Sequence, residues 1–350
     1  MPTVYTTHPR FPEHDLPAHP EHAGRIRAVW RRLDEDGLTA RLNALTAQPA
    51  SDEQILSVHT PQHLALLEKT SMIGQTVRLD SDTYCTPTSF ELARLAAGAV
   101  TMAIDEVMTG RAANGLAAVR PPGHHAEPGT AMGFCLLGNI AIGARHAQKV
   151  HGTERVLIMD YDVHHGNGTE AMFYDDPSVL FISTHQGAND YGMPFYPGTG
   201  MVEDTGTGNG TGFTINIPLP PRHGDSSYAA IFEQIVAPAA RRFKPDLILV
   251  SAGFDGHWYD PLAHIRLSLQ GYADITRALI QLAGELCGGR IVFVMEGGYN
   301  LDALSNGIAN IARLLLGDSD IADPIGLPDD GDTEPDIAPL LARIKSIHSL

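Results

Sequence analysis

Two pairs of adjacent histidines stand out in this chain. His124 and His125 lie in RPPGHHAEPGTAMGFC, and further on His164 and His165 close MDYDVHH. Imidazole binds metals and exchanges protons near neutral pH, so either pair could serve a hydrolytic centre. Side chains alternate along extended backbone. Asp160, Asp162 and His164 therefore share one direction, and Tyr161, Val163 and His165 take the other. An Asp-x-His arm supplies two ligands for a divalent metal, and Asp255 in SAGFDGHWYD is the candidate third. Three protein ligands leave a position open for water or substrate, as in catalytic zinc sites. The set is rich in oxygen, so Fe2+ or Mn2+ competes on ligand hardness. His124 and His125 cannot both reach one metal from extended backbone, but a Gly/Pro-rich loop would let both face a shared cleft. There each could take a proton from an activated water and return it to a leaving group. Asp160 and Asn167 are the candidates to fix their tautomers.

These residues sit at the ends of short apolar or β-branched runs. Candidate strands cover 4–7, 116–119, 155–162, 179–184, 213–219, 247–253 and 291–298. Helical patterns cover 21–36, 60–73, 88–109, 136–149, 226–243, 269–286 and 301–316. Several strand runs are continuously apolar, as expected for strands buried on both faces of a parallel sheet. Alternation of the two patterns predicts a single α/β domain over residues 1–350, with helices on both sides of the sheet. Ligands bind beyond the carboxyl ends of such strands. Four ends carry polar residues: the loop of His124 and His125, the run Asp160 to His165, Asp255 to His257, and Glu296 to Asn300. A lone histidine is more often a packing or surface residue, and His8, His14, His19, His22, His185 and His257 are read that way.

Charge narrows the partners. The 350 residues carry 24 Lys and Arg against 41 Asp and Glu, a formal charge of −17, which excludes the basic footprint that nucleic acid requires. Cys85, Cys135 and Cys287 are odd in number, with no CxxC, and predict free thiols in a reducing compartment. The opening MPTVYTTHPRFPEHD has no basic stretch followed by an apolar one, and no apolar run is long enough to span a bilayer. A cytoplasmic protein with no membrane partner is the expectation. The segment 317–336 has eight acidic residues and no basic ones, and reads as a solvated loop before a last helix at 337–350.

The motifs RPPGHHAEPGTAMGFCLLGNIAIGA, DYDVHHGNGTEAMFY, YPGTG, SAGFDGHWYDPLA and EGGYNL, with HPEHAGRIRAVW before them, resemble the histone deacetylase superfamily. The likeness is greatest to its class II-like and bacterial members, relatives of the acetylpolyamine amidohydrolases, and runs from about residue 5 to residue 315. It implies an arginase-like α/β fold with a central parallel sheet of about eight strands. It also implies zinc-dependent hydrolysis of an N-acyl amide, typically on a lysine side chain. The metal ligands implied are Asp162, His164 and Asp255. His125 would be the main base and later the acid, backed by Asn167, and His124, backed by Asp160, an electrostatic partner. Tyr299 would donate its hydroxyl to the substrate carbonyl.

The same resemblance makes Phe134 and Tyr196 the walls of a narrow channel, with Gly133 keeping its floor open. Thr88 would hold the substrate's backbone amide. A structural potassium ion is implied near Asp160, Asp162, His164, Ser183 and Thr184, and a second near Phe173, Asp176 and Val179. Polyamine-selective relatives carry a gatekeeper Glu where this chain has Leu262, which favours an acyl-lysine protein or peptide over a small acetylpolyamine. Two other readings stand beside these. A binuclear manganese ureohydrolase needs a DxD at the later strand end, where only Asp260 follows Asp255. A silent acyl-lysine binding module would lack the donor that Tyr299 supplies.

Overall fold

The runs that read as unbroken apolar strands form the middle of one sheet in the computed structural model, which describes residues 1–328, 331 and 333–350. Its strands are β1 (Thr3–Thr7), β2 (Asn43–Thr46), β3 (Val77–Arg78), β4 (Tyr84–Cys85) and β5 (Asn114–Ala117). There follow β6 (Val156–Asp160), β7 (Val179–Gln186), β8 (Thr214–Leu219), β9 (Leu247–Ala252) and β10 (Ile291–Met295). Strands β3 and β4 pair only as a small antiparallel hairpin. The other eight make a sheet in the order β2-β1-β5-β10-β9-β6-β7-β8, with every neighbouring pair parallel. Each residue of β6, β7, β9 and β10 is buried, so both faces of the sheet are covered.

The helices supply that cover. They are α1 (Gly24–Glu35), α2 (Asp52–Ile55), α3 (Pro61–Ser71), α4 (Ser89–Met108), α5 (Asn139–His151) and α6 (Asn167–Phe173). The second half adds α7 (Asp225–Ile231), α8 (Ala237–Phe243), α9 (Leu269–Cys287), α10 (Leu301–Leu315) and α11 (Ala338–His348). One group pairs α4 with α5, and the other packs α10 against α1 and α9. No described helix is long and apolar enough to cross a membrane.

Strand order places the site. β5 and β6 follow one another in the chain but are separated in the sheet by β10 and β9. The loops leaving β5, β6, β9 and β10 therefore rise side by side at one edge of the sheet, the position where open α/β sheets bind ligands.

The structure departs from the sequence expectation in instructive places. The sequence pattern does not signal β2: NALT is short and lies at the sheet edge, with alternate residues exposed, so it carries no apolar run. β6 ends at Asp160 and not at 162, because the Asp162 N–H turns to Asp160 Oδ1 at 3.0 Å and leaves the ladder. The helix expected over 226–243 is interrupted by a π turn at Phe232–Val236, just before Pro238, which has no N–H to continue α-type pairing. The acidic segment has no regular structure over its described residues, and Asp329, Asp330 and Asp332 lie outside them. The last helix forms as α11, one residue later than expected.

Candidate active site

Beyond β6 the chain makes two successive turns on its own aspartates. Asp160 Oδ1 accepts from Asp162 N, and Asp162 Oδ1 accepts from His164 N, each at 3.0 Å. These turns aim Asp162 and His164 at the end of β9, where Asp255 stands. His164 Nδ1 lies 3.2 Å from Asp162 Oδ1 and 3.1 Å from Asp255 Oδ2. The far oxygens are held by backbone, Asp162 Oδ2 by Gly297 N at 2.8 Å and Asp255 Oδ1 by Val163 N at 3.0 Å. Both carboxylates are fully buried. Gly297 makes this approach possible, since a Cβ there would lie 2.3 Å from Asp255 Oδ2 and 2.6 Å from Asp162 Oδ2.

The donor set fits a divalent cation. Two buried carboxylates face one imidazole nitrogen, and the ligand atoms lie within 4.8 Å of one another. Burial and the charge of Asp162 push the Asp255 carboxyl up. A bound cation of the zinc class relieves such crowding of like charge. Asp260, five residues on, is turned elsewhere: its Oδ2 accepts from Tyr299 N at 2.7 Å and Asn300 N at 3.0 Å.

The two loop histidines lie against each other, their ring centroids 4.0 Å apart, and have unlike partners. His124 Nδ1 meets Asp160 Oδ2 at 3.0 Å, whereas His125 Nδ1 meets Asn167 Oδ1 at 2.7 Å. Burial opposes a charge on His124, but the carboxylates of Asp162 and Asp160 overcome it and push its pKa up to about 10. Burial and the charges of His124 and His164 push His125 well down. The two rings are thus pushed in opposite directions. Glu296, at the end of β10, steadies their loop by accepting from Gly123 N at 2.7 Å and His124 N at 3.3 Å.

Tyr299 completes the ring of strand ends. The Arg25 guanidinium lies 5.0 Å over its ring, and burial keeps its phenol protonated and able to donate. Arg25 in turn donates to Gly298 O at 2.7 Å and Glu296 O at 2.5 Å. Phe134 meets Tyr299 edge-on at 5.8 Å, and Tyr196 meets His125 edge-on at 5.3 Å. Gly133 adopts φ +56°, and a Cβ there would fall 2.3 Å from His125 Cδ2. Half-buried Leu262 stands on the loop that Asp260 ties to Tyr299, its N–H on Asp260 Oδ1 at 3.0 Å.

Some expected residues fall elsewhere. Thr88 is the N-cap of α4, its hydroxyl turned to Glu13 O at 3.4 Å and Thr86 at 3.2 Å. Thr83 is fully buried, its hydroxyl accepting from Phe134 N at 3.0 Å and donating to Asp80 Oδ2 at 3.2 Å. Thr184 donates to the Asp160 carbonyl at 3.4 Å and Ser183 meets His185 at 2.9 Å. In the second implied potassium region, Asp176 N donates to Phe173 O at 3.0 Å and Val179 N to Asp176 O at 3.5 Å. His165 is buried among Thr199, Glu170 and His185, away from the carboxylate pair. Sequence reading missed Phe195, stacked on His164 at 5.2 Å, and the buried Glu21 that binds Arg120 and Arg25. An arginine one turn after a glutamate in EHAGR was the available signal.

Fold and site define a class, an α/β enzyme that gathers carboxylates, imidazoles and a phenol at the carboxyl ends of a parallel sheet to cleave acetyl-amide bonds. More narrowly, the chain belongs to the histone deacetylase family, whose histone deacetylase domain matches residues 19–315. It is 41% identical to the chloroplastic histone deacetylase 14 of Arabidopsis thaliana, over 96% of this chain and 82% of that one. It is 42% identical to a probable deacetylase of Archaeoglobus fulgidus, over 86% and 82%. The human polyamine deacetylase HDAC10 is 39% identical over 94% of this chain and 48% of its own length. Among solved structures the HD domain of HDA15 superposes with a TM-score of 0.88 and 35% identity, over 99% of this chain and 94% of that one.

Proposed function

We propose that this deacetylase is a zinc-dependent hydrolase that removes acetyl or longer acyl groups from lysine side chains. The observation that carries the reading is the convergence of Asp162, His164 and Asp255 beside a histidine pair with unlike partners and a tyrosine donor. Asp162, His164 and Asp255 would hold the zinc, which when bound acidifies water and polarises the scissile carbonyl. His125, hydrogen-bonded through Nδ1, takes the water's proton at Nε2 and returns it to the departing amine. His124, fixed by Asp160, places positive charge beside the growing negative charge. Tyr299 donates its O–H to the carbonyl oxygen as that oxygen becomes anionic. Phe134 and Tyr196 flank this centre and suit the aliphatic stem of an acyl-lysine. A structural potassium ion would sit nearby, with Thr184 and the Asp160 carbonyl, 3.4 Å apart, among its ligands.

A second reading, hydrolysis of N-acetylpolyamines, is favoured by the likeness to HDAC10 and by Asp82, which lines a cavity of about 390 Å³ beside Phe134. Leu262 argues against it, because an aliphatic side chain offers a cationic amine nothing. Rates on acetyllysine peptides, longer acyl-lysines and N-acetylated polyamines, measured side by side with zinc-loaded and chelated enzyme, test both. Acyl-lysine turnover that zinc restores is the expected result. Faster turnover of the polyamines would transfer the assignment to the second reading.

A further inference from the structure

The Asn167 amide is read in only one sense by its surroundings. Its Nδ2 lies 2.9 Å from Glu127 Oε1 and 3.3 Å from Met132 Sδ. A carboxylate and a thioether both accept and neither donates, so both hydrogens of Nδ2 have a partner only in this orientation. Reversing the amide would set its oxygen against two acceptors. Oδ1 is thereby turned to His125 Nδ1, 2.7 Å away, and can only accept there. A neutral His125 must then carry its proton on Nδ1, which leaves the Nε2 lone pair free.

Glu127 is itself well anchored. Its backbone N–H donates to Thr130 O at 2.9 Å, and its carbonyl meets His59 Nδ1 at 3.1 Å. It follows His125 by two residues, so one short loop supplies the base and the group that sets the base's tautomer. An aspartate at 167 would accept at either oxygen and would need no such instruction. An asparagine does need it, because its two ends are nearly the same shape and opposite in hydrogen-bonding sense.

We propose that Glu127 is a positioning residue that sets the tautomer of His125 by fixing the sense of the Asn167 amide. The proposal rests on His125 being the base. Its central test is a pair of substitutions that reverse and then restore the sense of the hydrogen bonds. Glu127→Lys presents only donors, turns the Asn167 amide around, and places Nδ2 against His125 Nδ1. The ring proton moves to Nε2, and kcat falls about 100-fold with KM little changed, at the lower end of what a general base contributes. Adding Asn167→Asp to that variant supplies an acceptor both to the introduced ammonium group and to His125, and returns kcat to within about tenfold of the parent. Asn167→Asp alone, which sets two carboxylates together, is worse than the double variant. Glu127→Gln keeps an acceptor in its carbonyl oxygen and stays within about fivefold of the parent.

Independent of turnover, 15N NMR of the metal-free protein with labelled histidine reads which ring nitrogen of His125 is protonated: Nδ1 in the parent and the double variant, Nε2 in Glu127→Lys. An unchanged tautomer in Glu127→Lys, or a double variant no better than Glu127→Lys, overturns the proposal. A loss in Glu127→Gln as large as in Glu127→Lys also overturns it, by assigning the effect to charge. Full activity in His125→Ala would instead overturn the base itself, and the NMR result keeps the two failures apart.

Discussion

Among the described residues, two trios of aspartate and histidine have the spacing of metal ligands, and they contain the same groups in opposite proportion. At the strand ends, two carboxylates, Asp162 and Asp255, face the single nitrogen Nδ1 of His164. On the surface between α4 and α5, one carboxylate oxygen, Asp105 Oδ1, receives two imidazoles, His146 Nε2 at 2.7 Å and His151 Nε2 at 2.6 Å. Either trio would pass a simple test for metal-ligand spacing. Donor counting separates them. One ring nitrogen has at most one proton for two buried carboxylates, so the strand-end trio is short of donors and fits a cation. Two neutral rings have a proton each for one carboxylate, so the surface trio satisfies itself.

A neighbour strengthens the distinction. Gln54 Oε1 is occupied by Ser51 N at 2.8 Å, part of the capping box of α2, so Gln54 Nε2 donates to His146 Nδ1 at 3.1 Å. His146 must then carry its own proton on Nε2, the atom a metal would require. Burial works against a charge on Asp105, and the two imidazole hydrogen bonds overcome it, holding the carboxyl below its usual range. The surface trio is a clamp between helices.

The largest test of this contrast is to remove one member from each trio. Asp255→Asn or His164→Ala is expected to lower deacetylation more than ~1,000-fold, since a catalytic metal contributes several kcal/mol. Metal analysis should fall from one equivalent per chain to none. Asp105→Asn and His151→Gln should retain both the activity and the single equivalent. Two equivalents in the parent, falling to one in His151→Gln, would break the comparison.

Tyr299→Phe sharpens it from another side. It removes a donor to the developing oxyanion without touching a carboxylate or imidazole, so kcat should fall about 100- to 1,000-fold with the metal content unchanged. Loss of metal along with activity would mean that Tyr299 supports the metal trio instead of the carbonyl.

The clamp has its own readout in stability. Asp105→Asn removes the charge from two partly exposed hydrogen bonds and should cost about 1 kcal/mol, or about 2 °C in Tm. The Asp105 pKa is depressed in the folded protein, so its contribution is present above the ordinary carboxylate pKa near ~4. It is lost as pH falls through the depressed value. The difference between parent and variant should therefore close on acidification. A gap that stays constant to pH 3 would show that the charge plays no part.

The strand-end trio was legible in the sequence and the clamp was not, for a physical reason. Asp162 and His164 are two apart just after an apolar run, which made them legible as a pair, although successive turns on Asp160 and Asp162 aim them together and not the strand periodicity expected. Asp105 and His146 meet only because α4 packs on α5, a fact of tertiary structure that no local spacing carries. The same divide runs through the active site. Asp255, Tyr299 and the histidine loop follow recognisable strand ends, whereas Glu21, Glu127 and Phe195 take their places by loop geometry. Thr88 shows how little a residue type in a motif says of its hydroxyl's direction, which the structure turns to Glu13 O and Thr86.

The smallest expected effect probes the donor count most directly. If Gln54 is what holds the His146 proton on Nε2, then Gln54→Ala releases the ring to carry it on Nδ1. Nε2 of His146, Nε2 of His151 and the Asp105 carboxylate would then be free together to ligate a metal. The variant loses half of a capping box on a four-residue helix, which should cost it less than about 1 kcal/mol. With the strand-end site already filled by zinc, titration with further Zn2+ should show a weak second equivalent in Gln54→Ala that the parent lacks. Asp105→Asn added to that variant should abolish the second equivalent. Equal weak binding by parent and Gln54→Ala would show that the tautomer is not what keeps the metal out, and the two trios would differ only in burial.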